Sequence, residues 1–283
     1  MDKRSLKVAV IDMNNGAPNQ GMRGIQEILS RFRIENNIDL SFDIFDLRQK
    51  GEMPGIGYDA YISSGGPGSP IESKGEQWEN DFFNLLDQIE AFNYRNERKK
   101  YAFLICHSFQ LACRKYELGN VTERRSNAFG IFPITLTEYG EKDEIFNGIT
   151  NPFFSVDSRD WQVIEPDFAA FERKGAKLLA IEKERKHVNL ERCMMSIRFS
   201  DEIIGTQFHP EADPAGMKMY LLQEEKKKAI VDMHGEQKYL DMLNSLDDPA
   251  RIVLTQSVIL PNFLQKAIRH LQKQSSLRTE EVD

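Results

Sequence analysis

The period of the apolar positions changes several times along the chain. Lys7 to Asp12 is a short β-branched run closed by an acid, the pattern of a buried strand. Asn14 to Pro18 is a loop cluster. Met22, Ile25, Ile28, Leu29 and Phe32 then recur at spacings of three and four, which predicts an amphipathic helix over 20–33. Asp39 to Asp46 alternates like a strand. Asp59 to Ser64 reads as another and runs into Gly65-Gly66-Pro67-Gly68-Ser69-Pro70. Trp78, Phe82, Phe83, Leu86 and Ile89 share one face of a helix predicted over 76–93. Tyr101 to Cys106 is an apolar strand, and 109–116 has helical character.

Strands that alternate with helices in this way predict an α/β fold, a three-layer, mostly parallel sheet with helices on both faces. The texture then changes. Short strands are predicted at 129–137, 152–157, 176–182, 193–199 and 202–208, with a short helix near 141–147. They suit mixed or antiparallel pairing at one sheet edge. Beyond Pro210 the chain turns helical over 214–258. Pro261 to Leu271 forms a last amphipathic helix, and Gln272 to Asp283 reads as a polar, frayed end. The expected organisation is one α/β domain over 1–213 and a helical extension over 214–283 packed on it.

Composition narrows the class without naming a function. A chain of 283 residues buries a full core without disulfides or metal. Its 40% hydrophobic and 29% charged residues exclude collagen-like, low-complexity and mostly disordered chains. The net charge of −7 argues against a nucleic-acid partner. No apolar run approaches the roughly 18 residues of a membrane span, and the first residues lack a signal-peptide stretch. Cys106, Cys113 and Cys193 form no C-x-x-C pair, which fits free thiols in a reducing cytoplasm.

Three segments carry chemistry. Cys106 ends an apolar strand and begins a helix, at the carboxyl edge where open α/β sheets bind ligands. A thiol there has its thiolate favoured by the helix dipole and free amides. Taken alone, it reads equally as a small buried hydrophobe, and Cys113 and Cys193 are read that way. The Gly-Gly-Pro-Gly turn after Ser64 exposes backbone amides that can donate to a developing oxyanion, or is simply a tight turn. No Gly-Lys-Ser/Thr follows it, so it is no Walker loop. In His209-Pro210-Glu211 the i, i+2 spacing lets an extended segment point both side chains the same way. A carboxylate there orients an imidazole, although a single H-x-E is commonly a solvated loop. His107 and His187 read as solvated or structural.

Together these segments resemble the class I glutamine amidotransferase family, in the manner of a stand-alone glutaminase domain of the GMP synthase type. Gly205-Thr206-Gln207-Phe208-His209-Pro210-Glu211 is similar to its His/Glu segment. Ser64 to Pro70 is similar to its oxyanion turn, and Ile105-Cys106 with Gln110 to part of its nucleophile elbow. The likeness covers about residues 6–211. It implies Cys106 as nucleophile, His209 as general base and acid, and Glu211 as orienting carboxylate. It places the oxyanion hole at the Gly66 and His107 amides and a substrate contact at Gln110. It implies hydrolysis of glutamine or a γ-glutamyl amide through a cysteinyl thioester, with no metal and no cofactor. The ammonia would pass to a separate synthetase subunit or be released by a chain acting alone.

The sequence departs from the family pattern in three places. Leu104 and Ser108 stand where the elbow has glycines, which predicts a wider or less strained corner. Val156 to Trp161 has the register of the family's Ser-His segment, so Ser158 and Arg159 are candidate substrate contacts. Arg159 offers a fork for a carboxylate, or pairs with Asp157 or Asp160 at the surface. The helical segment 214–258 covers the site, forms a homodimer face or docks a partner. Lys226-Lys227-Lys228 within it reads as a solvated face. A binding or regulatory module that keeps the fold without catalysis, and acyl transfer to an acceptor other than water, stay open beside the hydrolase reading.

Overall fold

The computed structural model describes residues 5–184, 190–246 and 248–280. Residues 1–4, His187 and residues 281–283 lie outside these, and the end expected to fray is helical over 272–280. The order is β1 (Ser5–Asp12), α1 (Gln20–Glu35), β2 (Asp39–Asp46), α2 (Leu47–Lys50), β3 (Ala60–Ser63), α3 (Gln77–Arg95), β4 (Tyr101–Ile105) and α4 (His107–Lys115). Then follow β5 (Asn120–Leu136), α5 (Glu138–Glu141), β6 (Phe153–Ile164), α6 (Phe168–Lys174), β7 (Lys177–Glu182), β8 (Met194–Arg198) and β9 (Ile203–Thr206). The chain closes with α7 (Pro214–Leu221), α8 (Glu224–His234), α9 (Glu236–Ser245) and α10 (Leu254–Glu280).

The strands form one nine-stranded sheet ordered β2-β1-β3-β4-β9-β8-β7-β5-β6. β2, β1, β3, β4 and β9 pair in parallel, and β8, β7, β5 and β6 continue the sheet by antiparallel pairing. Continuous apolar strands are explained by burial on both faces. Phe103 and Ile105 of β4 join one apolar cluster with α1 and α10, while Ala102 and Leu104 join another with α3 and α4. α1 forms because its apolar stripe meets the first cluster and Asn19 caps its start through the Gly21 amide. Because β3, β4 and β9 are parallel, their carboxyl ends emerge side by side, each followed by one of the three chemical segments.

β5 and β6 are longer than their apolar patterning suggests. They pair from Asn120↔Ile164 to Ile134↔Phe153, with an irregularity between Glu123 and Ala128. Residues 120–127 are mostly polar, so periodicity hides this half of the hairpin. As a result Ser158 and Arg159 lie within a strand.

The closing helix also starts earlier than expected, with Pro261 inside it. Proline in a helix interior costs about 3 kcal/mol. Ile259 and Leu260, fully buried in the main cluster, hold the preceding turn in place against that cost. Phe263 follows, edge-on to Phe103 at 5.4 Å and to Tyr101 at 6.5 Å between ring centroids. α10 therefore completes the core beneath β4. Truncating Phe263 to alanine is expected to destabilise the protein by about 3–5 kcal/mol, read from urea unfolding. A loss well below about 1 kcal/mol would show that α10 is an appendage of the sheet.

Candidate active site

Cys106 joins β4 to α4 with φ 49° and ψ −97°. This is a left-handed conformation that a side-chain-bearing residue adopts at a cost of order 1–3 kcal/mol. The corner is therefore strained, contrary to the expectation drawn from the missing glycines. The neighbours explain how. Leu104 pairs in register with Gly205, which offers no side chain, and lies fully buried among apolar residues. Ser108 is small enough to fit and makes the corner tighter. Its hydroxyl donates to the Ser64 carbonyl at 2.6 Å and meets the Ser63 hydroxyl at 2.7 Å. The Cys106 amide donates to the Thr206 carbonyl at 2.7 Å, and the Cys106 carbonyl accepts from the Gln110 amide at 3.0 Å.

The segment after β9 brings His209 and Glu211 to the same corner. The His209 amide donates to the Val156 carbonyl at 2.9 Å, which pins the segment to β6. His209 Nδ1 lies 2.8 Å from Glu211 Oε1, while His209 Nε2 has no hydrogen-bond partner. A Cβ placed on Gly65 would stand 3.0 Å from His209 Cε1 and 3.3 Å from Cys106 Cβ, so sulfur and imidazole border one glycine. Burial disfavours the imidazolium. The Glu211 carboxylate and the Cys106 sulfur outweigh it and hold the His209 pKa well above the ordinary histidine range. Glu211 is buried against α1. A Cβ on Gly24 would come within 2.2 Å of the Glu211 carbonyl, so only glycine allows α1 this approach.

Gly66 and His107 border the same corner. A Cβ on Gly66 would lie 2.2 Å from the Met13 carbonyl, so the turn packs directly on the end of β1. Arg48 fastens it by donating to the Met13 carbonyl at 3.1 Å and the Pro67 carbonyl at 2.6 Å. His107 is the first residue of α4, where an amide has no partner within its helix. Its side chain is not solvated. It is buried beside Trp78, with its pKa pushed down to about 3 by burial and by Arg48 and Arg114.

The remaining expected contacts separate. Gln110 is buried, donating to Gln207 Oε1 at 3.0 Å and to the Trp161 carbonyl at 3.2 Å. Ser158 faces the sulfur through its carbonyl, 3.8 Å from Cys106 Sγ. Arg159 pairs with Asp157 at 2.7 Å and Glu182 at 3.4 Å, in the interior and not at the surface, and only Nη1 is left unpartnered. Gln207, which the sequence reading passed over, donates through Nε2 toward Cys106 Sγ at 3.5 Å. Its position two residues before His209 is the signal that was available. Cys106, His209, Gly66, Gln110, Ser158 and Arg159 all border one cavity of about 640 Å³. Among the described residues no group of three or more His, Cys, Asp or Glu side chains is arranged to hold a metal. No described helix is long and apolar enough to cross a membrane.

Ser108 ties the corner to the turn, so Ser108→Ala leaves the buried Ser64 carbonyl without its donor. A loss of about 1–3 kcal/mol in unfolding free energy is expected. An unchanged denaturation midpoint would show that the two segments hold their positions independently.

Comparison with known proteins bears on the family and the fold. The family model "Glutamine amidotransferase class-I" matches residues 24–229. Among solved structures, that of SMU.1228c shares 18% identity, covering 93% of this chain and 99% of that one with a TM-score of 0.62. A glutamine amidotransferase (tm1158) from Thermotoga maritima shares 17% identity, covering 93% and 98%, also at 0.62. A glutamine amido transferase from Methylobacillus Flagellatus shares 14%, covering 93% and 94%, again at 0.62. At these identities the likeness shows the fold. No curated protein matches the chain. With the family model spanning most of its length, the chain belongs to the class-I glutamine amidotransferase family.

Proposed function

We propose that the protein is a thiol amidohydrolase that releases ammonia from glutamine or an amine from a γ-glutamyl amide. The observation that carries this reading is the alignment at the sheet edge. Cys106 sits in a strained conformation at a helix start, the His209 imidazole borders the same glycine, Gly65, and the Glu211 carboxylate lies 2.8 Å from its Nδ1. Cys106 caps the start of α4, and the Gln207 amide places a donor 3.5 Å from its sulfur.

The thiolate adds to the γ-carbonyl carbon, and negative charge develops on its oxygen. The Gly66 and His107 amides hold that charge, and loss of one such donor costs on the order of 3–4 kcal/mol in the barrier. His209 delivers its proton to the departing nitrogen, the carbon–nitrogen bond breaks, and a γ-glutamyl thioester remains on Cys106. The neutral imidazole then takes a proton from water as that water attacks the thioester. Glutamate leaves and the thiolate–imidazolium pair returns. Glu211 keeps Nδ1 protonated so that Nε2 faces the reacting atoms. Gln110 and Ser158 position the substrate from the cavity wall, and Arg159 contributes its free Nη1. The ammonia passes to solvent or to a separate synthetase, a choice that co-purification from native lysate resolves.

Ammonia release from glutamine and a panel of γ-glutamyl amides tests the reading, with Cys106→Ala expected to abolish it. No release above the Cys106→Ala background from any member would contradict it and favour a binding module. The pH profile tests the roles. Glu211 raises the His209 pKa, so Glu211→Gln lowers it and the imidazolium is lost earlier as pH rises. The alkaline limb of kcat/KM is expected to move to lower pH by about one unit or more. An unmoved limb would remove His209 as the titrating acid.

A further inference from the structure

The catalytic corner supplies only part of the cavity lining. At about 640 Å³ the space falls in the range of roughly 300–1,000 Å³ that receives ligands well larger than free glutamine. Another part of the wall comes from outside the three motifs. β5 supplies Phe129, and the α7–α8 segment supplies Met217, Tyr220, Gln223 and Lys226.

This wall is built into the fold. Met217, Leu221 and Ile230 form an apolar cluster with Ile131 of β5 and Val156 of β6, and the Tyr239 hydroxyl donates to the Leu221 carbonyl at 3.1 Å. Val156 is the residue whose carbonyl pins His209, so the helices rest on the strand that places the imidazole. Phe129 and Tyr220 lie with ring centroids 5.0 Å apart, tilted by 35°, and both line the cavity. Lys226 Nζ stands 5.0 Å from the Tyr220 ring. Lys227 and Lys228 are exposed, but Lys226 is half-buried. The other charged groups on the cavity wall are engaged: Asp213 by Arg23, Asp160 by Asn127, Glu211 by His209 and Arg159 by Asp157. Among the described residues Lys226 has no carboxylate partner.

From this we infer that the α7–α8 wall is a subsite for the amine half of the substrate, and that it takes γ-glutamyl conjugates of amino acids with large apolar side chains. This rests on the hydrolase reading of Cys106. The γ-glutamyl carbonyl lies at Cys106, the apolar side chain packs on Phe129, Tyr220 and Met217, and the conjugate's second carboxylate meets Lys226. Thiolate attack breaks the amide bond, His209 protonates the nitrogen, and a free amino acid leaves in place of ammonia. Water then releases glutamate.

Titration calorimetry on Cys106→Ala protein with γ-glutamylphenylalanine and with glutamine tests the subsite apart from the chemistry. The conjugate is expected to bind about tenfold more tightly or better. Adding Lys226→Ala should weaken the conjugate roughly tenfold relative to glutamine. Lys228→Ala, on the exposed side of the same helix, should change neither. Phenylalanine release by the wild-type protein is followed in parallel. Equal affinities, or equal losses for both ligands in Lys226→Ala, would overturn the subsite even if glutamine is hydrolysed. Lys226-dependent binding without any release would retain the subsite and overturn the hydrolase reading. No binding and no release would overturn both.

Discussion

The hydrogen bond from the Cys106 amide to the Thr206 carbonyl, 2.7 Å long, joins the two strand ends on which the site depends. β4 stops there and turns into a helix, while β9 stops there and runs on to His209 and Glu211. Parallel pairing makes the convergence unavoidable, since β3, β4 and β9 all end at the same edge. Stretches of chain about a hundred residues apart are thereby placed at one corner. The bonds from Ser108 to Ser63 and Ser64 add the third stretch, the glycine turn, to the same frame.

Charge at this corner is held against burial. Desolvation alone would keep His209 neutral, and it does so for His107 one residue beyond the sulfur. The difference lies in the partners. His107 faces the cations Arg48 and Arg114, whereas His209 faces a carboxylate and a sulfur. α1 shields Glu211 from water and is admitted by Gly24, so its carboxylate acts on the imidazole through a dry interface.

Much of this was legible in the sequence. The buried strands of the parallel half and the stripes of α1 and α3 followed from period alone, because packing on both faces leaves a simple apolar signature. The three chemical segments were legible through their order and through the sheet edge that their strands imply. Other features were not. The strain at Cys106 depends on what surrounds Leu104 and Ser108, and Ser108 proves to be a hydrogen-bonding tie where a loosening was expected. For Arg159 the sequence offered a free fork or a surface pair with Asp157 or Asp160; the Asp157 pair forms, but in the interior, and Glu182 on β7 joins it through a contact made only by folding. The β5–β6 hairpin was underestimated because polar residues fill its outer half. Lys226 was grouped with its neighbours, and only the helix packing separates one lysine of the run from the other two.

The proposed chemistry requires that the sulfur of Cys106, a residue only 6% exposed but bordering the cavity, be reached by substrate, and intact mass spectrometry after exposure to a glutamine-derived diazoketone tests that most directly. Cys113 and Cys193 are fully buried, with thiol pKa values pushed up by burial. The prediction is a single adduct that maps to Cys106 and disappears in Cys106→Ala and in the presence of excess glutamine. An unmodified Cys106 under the same conditions would contradict the account.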